Sequence, residues 1–263
     1  MTLDELTLKG CDKSIKVLQT QRGEVCTNDS YSQWNLCDYT GDDALRVLDA
    51  RMQFCHQLDI ELDHLVMPRQ SHTTNVAVIG QNFFDTSIDE QDSALDDIDA
   101  LVTMLPRVCI GVNTADCVPI ALADPVHGII AIAHAGWRGA MAKIAAKTVN
   151  TMLHLGADVT CISATMGASI CQECFEVGDE VAQAFEQAGF DLAKIMHRNT
   201  ITGKAHINLQ EANRQVLISA GVSYGNILLP EHCSRCEHNR YFSARRLGIN
   251  SGRTFTGIIM HNA

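Results

Sequence analysis

The sequence predicts a mixed α/β (α+β) fold, in which mixed β-sheets are layered with helices in a single domain over residues 1–263. Two observations carry this prediction. Short apolar runs typical of buried strands are interspersed with segments whose apolar residues recur every three or four positions. The 263 residues are 46% hydrophobic and 19% charged, which suits one sizeable core. No internal repeat or low-complexity linker divides the chain, so one domain is favoured over two.

The N-terminal half is predicted to contain one long helix and short strands. The helix spans Asp42–Leu58, because either of its first two residues, both aspartates, can cap it. Its buried face is assigned to Leu45, Leu48, Met52 and Cys55. Strands are predicted at His64–Pro68 and Val76–Ile79, on either side of a polar segment. The acidic stretch Asp85–Asp99 is interpreted as a solvated loop, with a carboxylate metal site as the alternative.

The centre and the C-terminal half alternate strands with helices. Strands are predicted at Ala100–Met104, Val108–Val112, Cys117–Ala123, Ile129–Ala133 and Val159–Met166. Helices are predicted at Arg138–Leu155, Val177–Ala188 and Leu209–Ala220. Glycines follow the first and third of these helices, as expected at helix ends.

The third and fourth central strands are predicted to form a hairpin, because Asp-Pro starts turns and a glycine precedes the second strand. For a turn centred on Pro125 and Val126, facing residues have numbers that sum to about 251, which pairs Cys117 with His134. A slip of one or two residues leaves both at the same open end. Cross-strand Cβ atoms lie about 5 Å apart, so the sulfur and the imidazole can meet there.

A cysteine and a histidine at one end of a hairpin leave three interpretations open. The Cys117 thiol can simply pack in the core. It can act as a nucleophile with His134 as its base. With a second histidine, the pair can bind zinc and leave one position open for water or substrate. By local context the best additional ligand is His72, in the polar segment SHTTN. Asp116 is a candidate to orient a ligand.

Charge and cysteine content restrict the class of protein. The formal net charge of −11 disfavours non-specific binding to nucleic acid or to an anionic membrane, because phosphate contacts need clustered Lys and Arg. No run is long and apolar enough to span a bilayer, and MTLDELTLKG lacks the features of a signal peptide. An odd count of 11 cysteines favours reduced thiols and a cytoplasmic protein. The protein is expected to be a monomer or a homodimer.

Two CxxC pairs raise the possibility of a second metal. The pairs are Cys171 with Cys174 and Cys233 with Cys236. Two such pairs can form a structural zinc site. Because they lie far apart and their spacing is not that of a zinc ribbon, the sequence favours packed or weakly reactive thiols and leaves the second metal open.

Several motifs resemble one known family. The segments are DALVT from Asp99, GVNTADCVPIALADP and HAGWRGAMAKI in the centre, CFEVGDEV, NLQEANRQVLISAGV and, near the end, YFSARRLGINSGR. Together they are similar to the YfiH-like proteins once called multicopper polyphenol oxidases or laccases and now described as zinc-dependent purine nucleoside enzymes. The resemblance covers most of the chain. It implies a mixed α/β fold related to deamidating cysteine-hydrolase toxins.

The resemblance also implies an activity and a site. The activity is phosphorolysis of adenosine, inosine and S-methyl-5'-thioadenosine, together with hydrolytic deamination of adenosine. The implied zinc ligands are His72, Cys117 and His134. These three and Asp116 are the predicted catalytic residues. The predicted substrate-binding residues are Arg138, Arg246 and Arg253, whose guanidinium groups suit phosphate, and Asn113, which stands where the family has arginine.

Other functions remain as alternatives. A copper-dependent polyphenol oxidase (laccase) fits the older family name, but multicopper centres need clustered histidines, and the 11 histidines here are scattered. A metal-free hydrolase that uses Cys117 and His134 is the second alternative. A non-enzymatic binding protein is the third.

Overall fold

The structure, a computed structural model, describes residues 1–11, 13–25 and 28–261, which contain fourteen strands and nine α-helices. The strands are β1 (Leu3–Leu6), β2 (Ile15–Thr20), β3 (Leu65–Val66), β4 (Val76–Ile79), β5 (Ala100–Thr103), β6 (Cys109–Thr114), β7 (Val118–Asp124), β8 (Ile129–Ala135), β9 (Ser163–Met166), β10 (Glu176–Val177), β11 (Met196–Arg198), β12 (Ala205–Ile207), β13 (Ile227–Leu228) and β14 (Thr254–Met260). The helices are α1 (Ala44–Leu58), α2 (Gln81–Phe84), α3 (Ile88–Leu95), α4 (Trp137–Met141), α5 (Ile144–His154), α6 (Asp179–Gln187), α7 (Leu192–Ile195), α8 (Leu209–Ser219) and α9 (Ala244–Leu247).

Two large mixed sheets form the centre of the molecule. One has the order β13-β9-β7-β8-β5-β4, and the other has the order β1-β2-β14-β6-β3. In each sheet most neighbours are antiparallel, but the edge pairs β4–β5, β13–β9 and β3–β6 are parallel. A small sheet, β10-β12-β11, lies beside them. The predicted combination of mixed sheets and helices is confirmed.

The residues of β5 show how the layers stack. Ala100 and Val102 belong to the core that the six-stranded sheet shares with α5 and α8, whereas Leu101 belongs to the core between the two large sheets. This alternation is expected because successive strand residues point to opposite faces. A third core lies between the five-stranded sheet and α1, where Phe54 and Phe255 meet edge to face at 4.9 Å. The order of layers is therefore helix, sheet, sheet, helix.

The prediction for α1 was right about its capping aspartate and its last residue, began two residues too early, and was wrong about its buried face. The helix spans Ala44–Leu58, and Asp43 caps it by accepting a bond from the N–H of Arg46. Leu45, Leu48 and Met52 are 76%, 41% and 56% exposed, and only Cys55 of the predicted face is buried. The buried residues are Val47, Ala50, Phe54, Cys55 and Leu58. The helix has two apolar stripes, and the five-stranded sheet covers the one that carries the aromatic ring.

The acidic segment predicted as a loop is partly helical. Helix α3 spans Ile88–Leu95, and a capping box precedes it: Ser87 accepts from the backbone of Glu90, whose carboxylate accepts from the backbone N–H of Ser87. The pattern Ser-x-x-Glu in the sequence was the missed signal. The helix predicted over Arg138–Leu155 is likewise two helices, α4 and α5. They are separated at Lys143, whose φ of 63° lies in the left-handed region.

None of the helices in the described part of the chain has the length and apolar character needed to cross a membrane.

Candidate metal centre

The β7–β8 hairpin places Cys117 and His134 at the same end, as predicted, with its register shifted by two residues. His134 pairs with Pro119, and Cys117 lies one residue before β7. The shift arises at the turn. Asp124 pairs with Ile129, and the carboxylate of Asp124 accepts the N–H groups of Val126 and His127, which makes the connection longer than a tight two-residue turn. A shift of two keeps every side chain on its predicted face.

His72 reaches the same point from the loop before β4. Its φ of 65° lies in the left-handed region, and its side chain is exposed. The Nε2 atom of His72 lies 3.8 Å from Sγ of Cys117, and its ring centroid lies 4.8 Å from that of His134. Two hydrogen bonds between Gln70 and the backbone of Asn113, at 2.7 and 2.9 Å, fasten the loop to β6.

We call the group formed by three residues the histidine–cysteine site: His72, Cys117 and His134. One ligand atom from each lies within 4.8 Å of the other two. One sulfur and two imidazole nitrogens form a known zinc donor set, which leaves a fourth coordination position open. Gly136 makes room for the side chains of two of these residues, because a Cβ atom there would lie 2.8 Å from Cδ2 of His72 and 2.9 Å from Sγ of Cys117. The residues present therefore fit a single metal ion.

Asp99 holds the site together, a role that was not predicted from the sequence. Its Oδ1 atom accepts a 2.7 Å hydrogen bond from Nδ1 of His134 and another from the backbone N–H of His72. Its Oδ2 atom accepts from the backbone N–H groups of Ser71 and Thr73 and from the Thr73 hydroxyl. Because Nδ1 of His134 donates its hydrogen bond to Asp99, Nε2 is left available to a metal. A carboxylate behind a metal-ligating histidine is the usual arrangement.

The acidities of these groups reflect their mutual contacts. Burial raises the pKa of the Cys117 thiol, but the charge of His134 and hydrogen bonds from both imidazoles outweigh it and lower the pKa to about 6. Burial lowers the pKa of His134, but Cys117 and Asp99 raise it to about 9. Burial also raises the pKa of Asp99, and His134 and Thr73 lower it to about 2. The site thus favours a thiolate at Cys117, the form in which cysteine binds metal.

The Asp116 carboxylate makes its hydrogen bonds to groups other than the three ligand side chains. Its carboxylate accepts a 2.7 Å hydrogen bond from the Ser234 hydroxyl and another from the backbone N–H of Arg245. Its φ of 86° lies in the left-handed region. These contacts fix the backbone that leads into Cys117. A ligand side chain, that of His134, is hydrogen-bonded by Asp99 instead, and a catalytic role for Asp116 stays a prediction.

The four predicted substrate-binding residues fall into two groups. Arg138 and Arg246 are exposed, and neither guanidinium has a hydrogen-bond or ion-pair partner among the described residues; Arg138 lies over the Trp137 ring at 4.2 Å. Arg253 instead donates to backbone carbonyls of residues 249, 251 and 252. Asn113 is buried on β6 and fastens the His72 loop, although its Oδ1 has no hydrogen-bond partner within the described structure.

The fold and the histidine–cysteine site define a class of protein: a mixed α/β domain with a candidate single-metal centre. The model of the multi-copper polyphenol oxidoreductase laccase family matches residues 16–261. The chain therefore belongs to that family, as the resemblance of its motifs implied.

Known proteins of this kind are similar over nearly the whole chain. One relative, adenosine deaminase RL5 from an unknown prokaryotic organism, is 57% identical over 97% of this chain and 98% of its own. A purine nucleoside phosphorylase of Bacteroides thetaiotaomicron is 40% identical over 92% of this chain and 90% of its own. A crystal structure of Bacillus licheniformis protein YfiH superimposes with a TM-score of 0.86 at 27% identity and covers 94% of this chain and 92% of its own. The predicted fold class is confirmed by this likeness.

Proposed function

We propose that the protein is a zinc-dependent purine nucleoside enzyme. Its reactions are phosphorolysis of adenosine, inosine and S-methyl-5'-thioadenosine, and hydrolytic deamination of adenosine. The observation that carries the proposal is the convergence of His72, Cys117 and His134 within 4.8 Å. The names of two relatives, an adenosine deaminase and a purine nucleoside phosphorylase, support the substrate class. A cytoplasmic location and a monomeric or homodimeric state stay predictions from the sequence.

The chain's own residues prepare the site for this chemistry. His72, Cys117 and His134 would hold the zinc ion, which when bound would supply a Lewis acid. Asp99 fixes the ring of His134, and Gln70 fixes the loop that carries His72. For phosphorolysis, the unpaired guanidinium groups of Arg138 and Arg246 bind phosphate with paired donors and hold it near the ribose carbon. Phosphate attacks that carbon as the glycosidic bond breaks and the purine base leaves. For deamination, the nucleophile is water, which attacks the purine carbon that carries the amino group, and that group leaves as ammonia.

The test measures the products released from adenosine and from inosine, with and without phosphate. Release of adenine or hypoxanthine that requires phosphate indicates phosphorolysis, and release of ammonia without phosphate indicates deamination. Cys117→Ala should lose about 100-fold or more in either rate, because loss of a metal ligand should cost at least as much as the about 10- to 100-fold lost with a group behind a ligand. Cys161→Ala is the matched control, since its thiol is also partly exposed and lies outside the histidine–cysteine site. If wild type releases neither a base nor ammonia, the proposal fails and a binding protein is favoured.

A metal-free hydrolase is the second candidate, and one observation favours it. Cys117, His134 and Asp99 form a series of contacts in which a carboxylate orients an imidazole beside an acidified thiol. Such a series is typical of cysteine nucleophiles. Prolonged dialysis against a strong chelator separates the two candidates. Full activity after metal removal, with Cys117 alkylated faster than the other thiols, supports the hydrolase and contradicts the zinc enzyme.

A copper oxidase remains as the alternative contained in the family's description. Within the described residues, two clusters are compatible with a metal, and only the histidine–cysteine site contains histidine. Two histidines are too few for a multicopper centre, which supports zinc. Metal analysis of protein purified without added copper decides between them: stoichiometric copper together with phenol oxidation would favour the oxidase.

A further inference from the structure

The two CxxC pairs, which the sequence favoured as separate packed thiols, come together in space. We call them the four-cysteine cluster: Cys171, Cys174, Cys233 and Cys236. Their four Sγ atoms all lie within 4.8 Å of one another. A parallel bridge between Ser169 and Cys233 joins the two segments, and the backbone N–H of Ser234 donates to the carbonyl of Ser169. Distance along the chain was therefore a poor guide to their separation.

The spacing of the sulfurs suits one tetrahedral ion. Four thiolates at a Zn–S distance of about 2.3 Å are separated from one another by about 3.8 Å. The Sγ atoms of Cys174 and Cys236 lie 3.4 Å apart, which is near this separation and well beyond the bond length of about 2.05 Å in a disulfide. The thiols are thus close enough to share a metal and are not bonded to each other.

Hydrogen-bond donors surround the cluster in the way that thiolate ligands require. The backbone N–H groups of Cys171 and Cys236 point to Sγ of Cys233 at 3.3 and 3.5 Å, and the guanidinium of Arg235 points to Sγ of Cys174 at 3.4 Å. A zinc ion with four thiolates has a net charge of about −2. A guanidinium at the sulfur offsets part of that charge.

We propose that the four-cysteine cluster binds one structural zinc ion, separate from the histidine–cysteine site. All four positions of a tetrahedral ion would be filled by protein, which is typical of a structural rather than a catalytic zinc. This site does not depend on the nucleoside chemistry, because none of its four cysteines belongs to the histidine–cysteine site.

The ion would stabilise one wall of the histidine–cysteine site. Both segments that carry the cysteines contact Asp116: the backbone N–H of Ile170 donates to its carbonyl at 3.0 Å, and the hydroxyl of Ser234 donates to its carboxylate at 2.7 Å. Asp116 precedes Cys117 directly. Zinc in the cluster thus joins two loops that hold the backbone of a ligand in the neighbouring site.

Metal counting on the whole protein tests the proposal. Protein is purified under reducing conditions and its zinc is measured by elemental analysis and native mass spectrometry. About two zinc ions per chain are expected, one in each site. Cys236→Ser, at the most exposed cysteine of the cluster, should retain about one, and Cys161→Ser should retain both. The proposal is overturned if the wild-type chain binds one zinc ion and Cys117→Ala binds none.

Cobalt substitution gives a second readout that does not depend on how Cys236→Ser folds. In Cys117→Ala, which lacks the histidine–cysteine site, bound Co²⁺ should show the intense sulfur-to-cobalt charge-transfer absorption of a tetrathiolate. Absence of that absorption contradicts the proposal. A wild-type mass lower by the hydrogens lost in disulfide formation contradicts it as well, and so does stoichiometric iron in place of zinc.

Discussion

Replacement of Asp99 by asparagine tests whether this carboxylate holds the histidine–cysteine site together. Asparagine has the same shape, but only its oxygen accepts hydrogen bonds. Oδ1 of Asp99 accepts two bonds and Oδ2 accepts three. An amide nitrogen at Oδ1 loses the bonds from His134 and His72. At Oδ2 it loses both backbone bonds, whereas the Thr73 hydroxyl can reverse its role. Either orientation therefore removes two bonds to a fully buried group.

The magnitude follows from that count. Each hydrogen bond to a charged group contributes about 1.5 to 3 kcal/mol, so the loss of two should lower the free energy of unfolding by about 3 kcal/mol or more. Loss of the carboxylate behind His134 should also weaken zinc binding by about 10- to 100-fold. Urea unfolding measures the first quantity. Zinc competition with a chromophoric chelator, referenced to Cys117→Ala, measures the second.

Asp124→Asn is the matched control at the other end of the same hairpin. Asp124 is also fully buried, and each of its oxygens accepts two N–H bonds, one of them from the ring of His127. It should lose a similar free energy of unfolding and bind zinc like wild type. Equal zinc affinity in Asp99→Asn and wild type, or equal weakening in both variants, would refute the reasoning.

Three further predictions follow from the same geometry. Gly136→Ala should weaken zinc binding at the histidine–cysteine site at least about 10-fold, because its Cβ would lie 2.8 and 2.9 Å from two ligands. Gly139→Ala should keep the wild-type zinc affinity, because its Cβ would have its nearest contact at 3.4 Å. Competition with a chelator measures both affinities. Phe54→Ala should cost about 3 to 5 kcal/mol in urea unfolding, and Met52→Ala less than about 1 kcal/mol; equal costs would contradict the observed buried face of α1. Arg246→Ala should raise the KM for phosphate in the phosphorolysis assay without changing the melting temperature, whereas Arg253→Ala, which removes bonds to three carbonyls, should lower that temperature.

Features that depend on neighbouring residues were predictable from the sequence. Strand β4 was predicted with its observed bounds, and the β7–β8 hairpin was predicted with the correct open end. The predicted register differs from the observed one by two residues, because the position of the turn depends on how the Asp124 carboxylate binds the backbone of the connection. Since a shift of two preserves the faces, the meeting of Cys117 and His134 survived the error.

Features that depend on contacts between distant segments were not predictable in the same way. Asp99 acts on His134 because β5 pairs with β8, and no periodicity in the sequence contains that pairing. The same pairing lets the N–H of His134 donate to the carbonyl of Asp99 at 2.8 Å. The position of Asp99 directly before a buried strand was the available signal. The convergence of the two CxxC pairs likewise depends on the bridge from Ser169 to Cys233.

The two ends of the β7–β8 hairpin show that a carboxylate–histidine pair alone is not sufficient for a candidate metal centre. A carboxylate–histidine pair lies at each end: Asp124 binds His127 at 2.7 Å, and Asp99, which precedes β5, binds His134 at the same distance. The first pair closes a turn, and its aspartate also fastens the segment at residue 158. Only the second pair meets a thiol and another imidazole, and it does so where Gly136 leaves space. The proposed metal binding therefore depends on the convergence of three segments at a position without a side chain. Gly136→Ala and Asp124→Asn test this dependence, because the first crowds two ligands and the second alters only the other carboxylate–histidine pair.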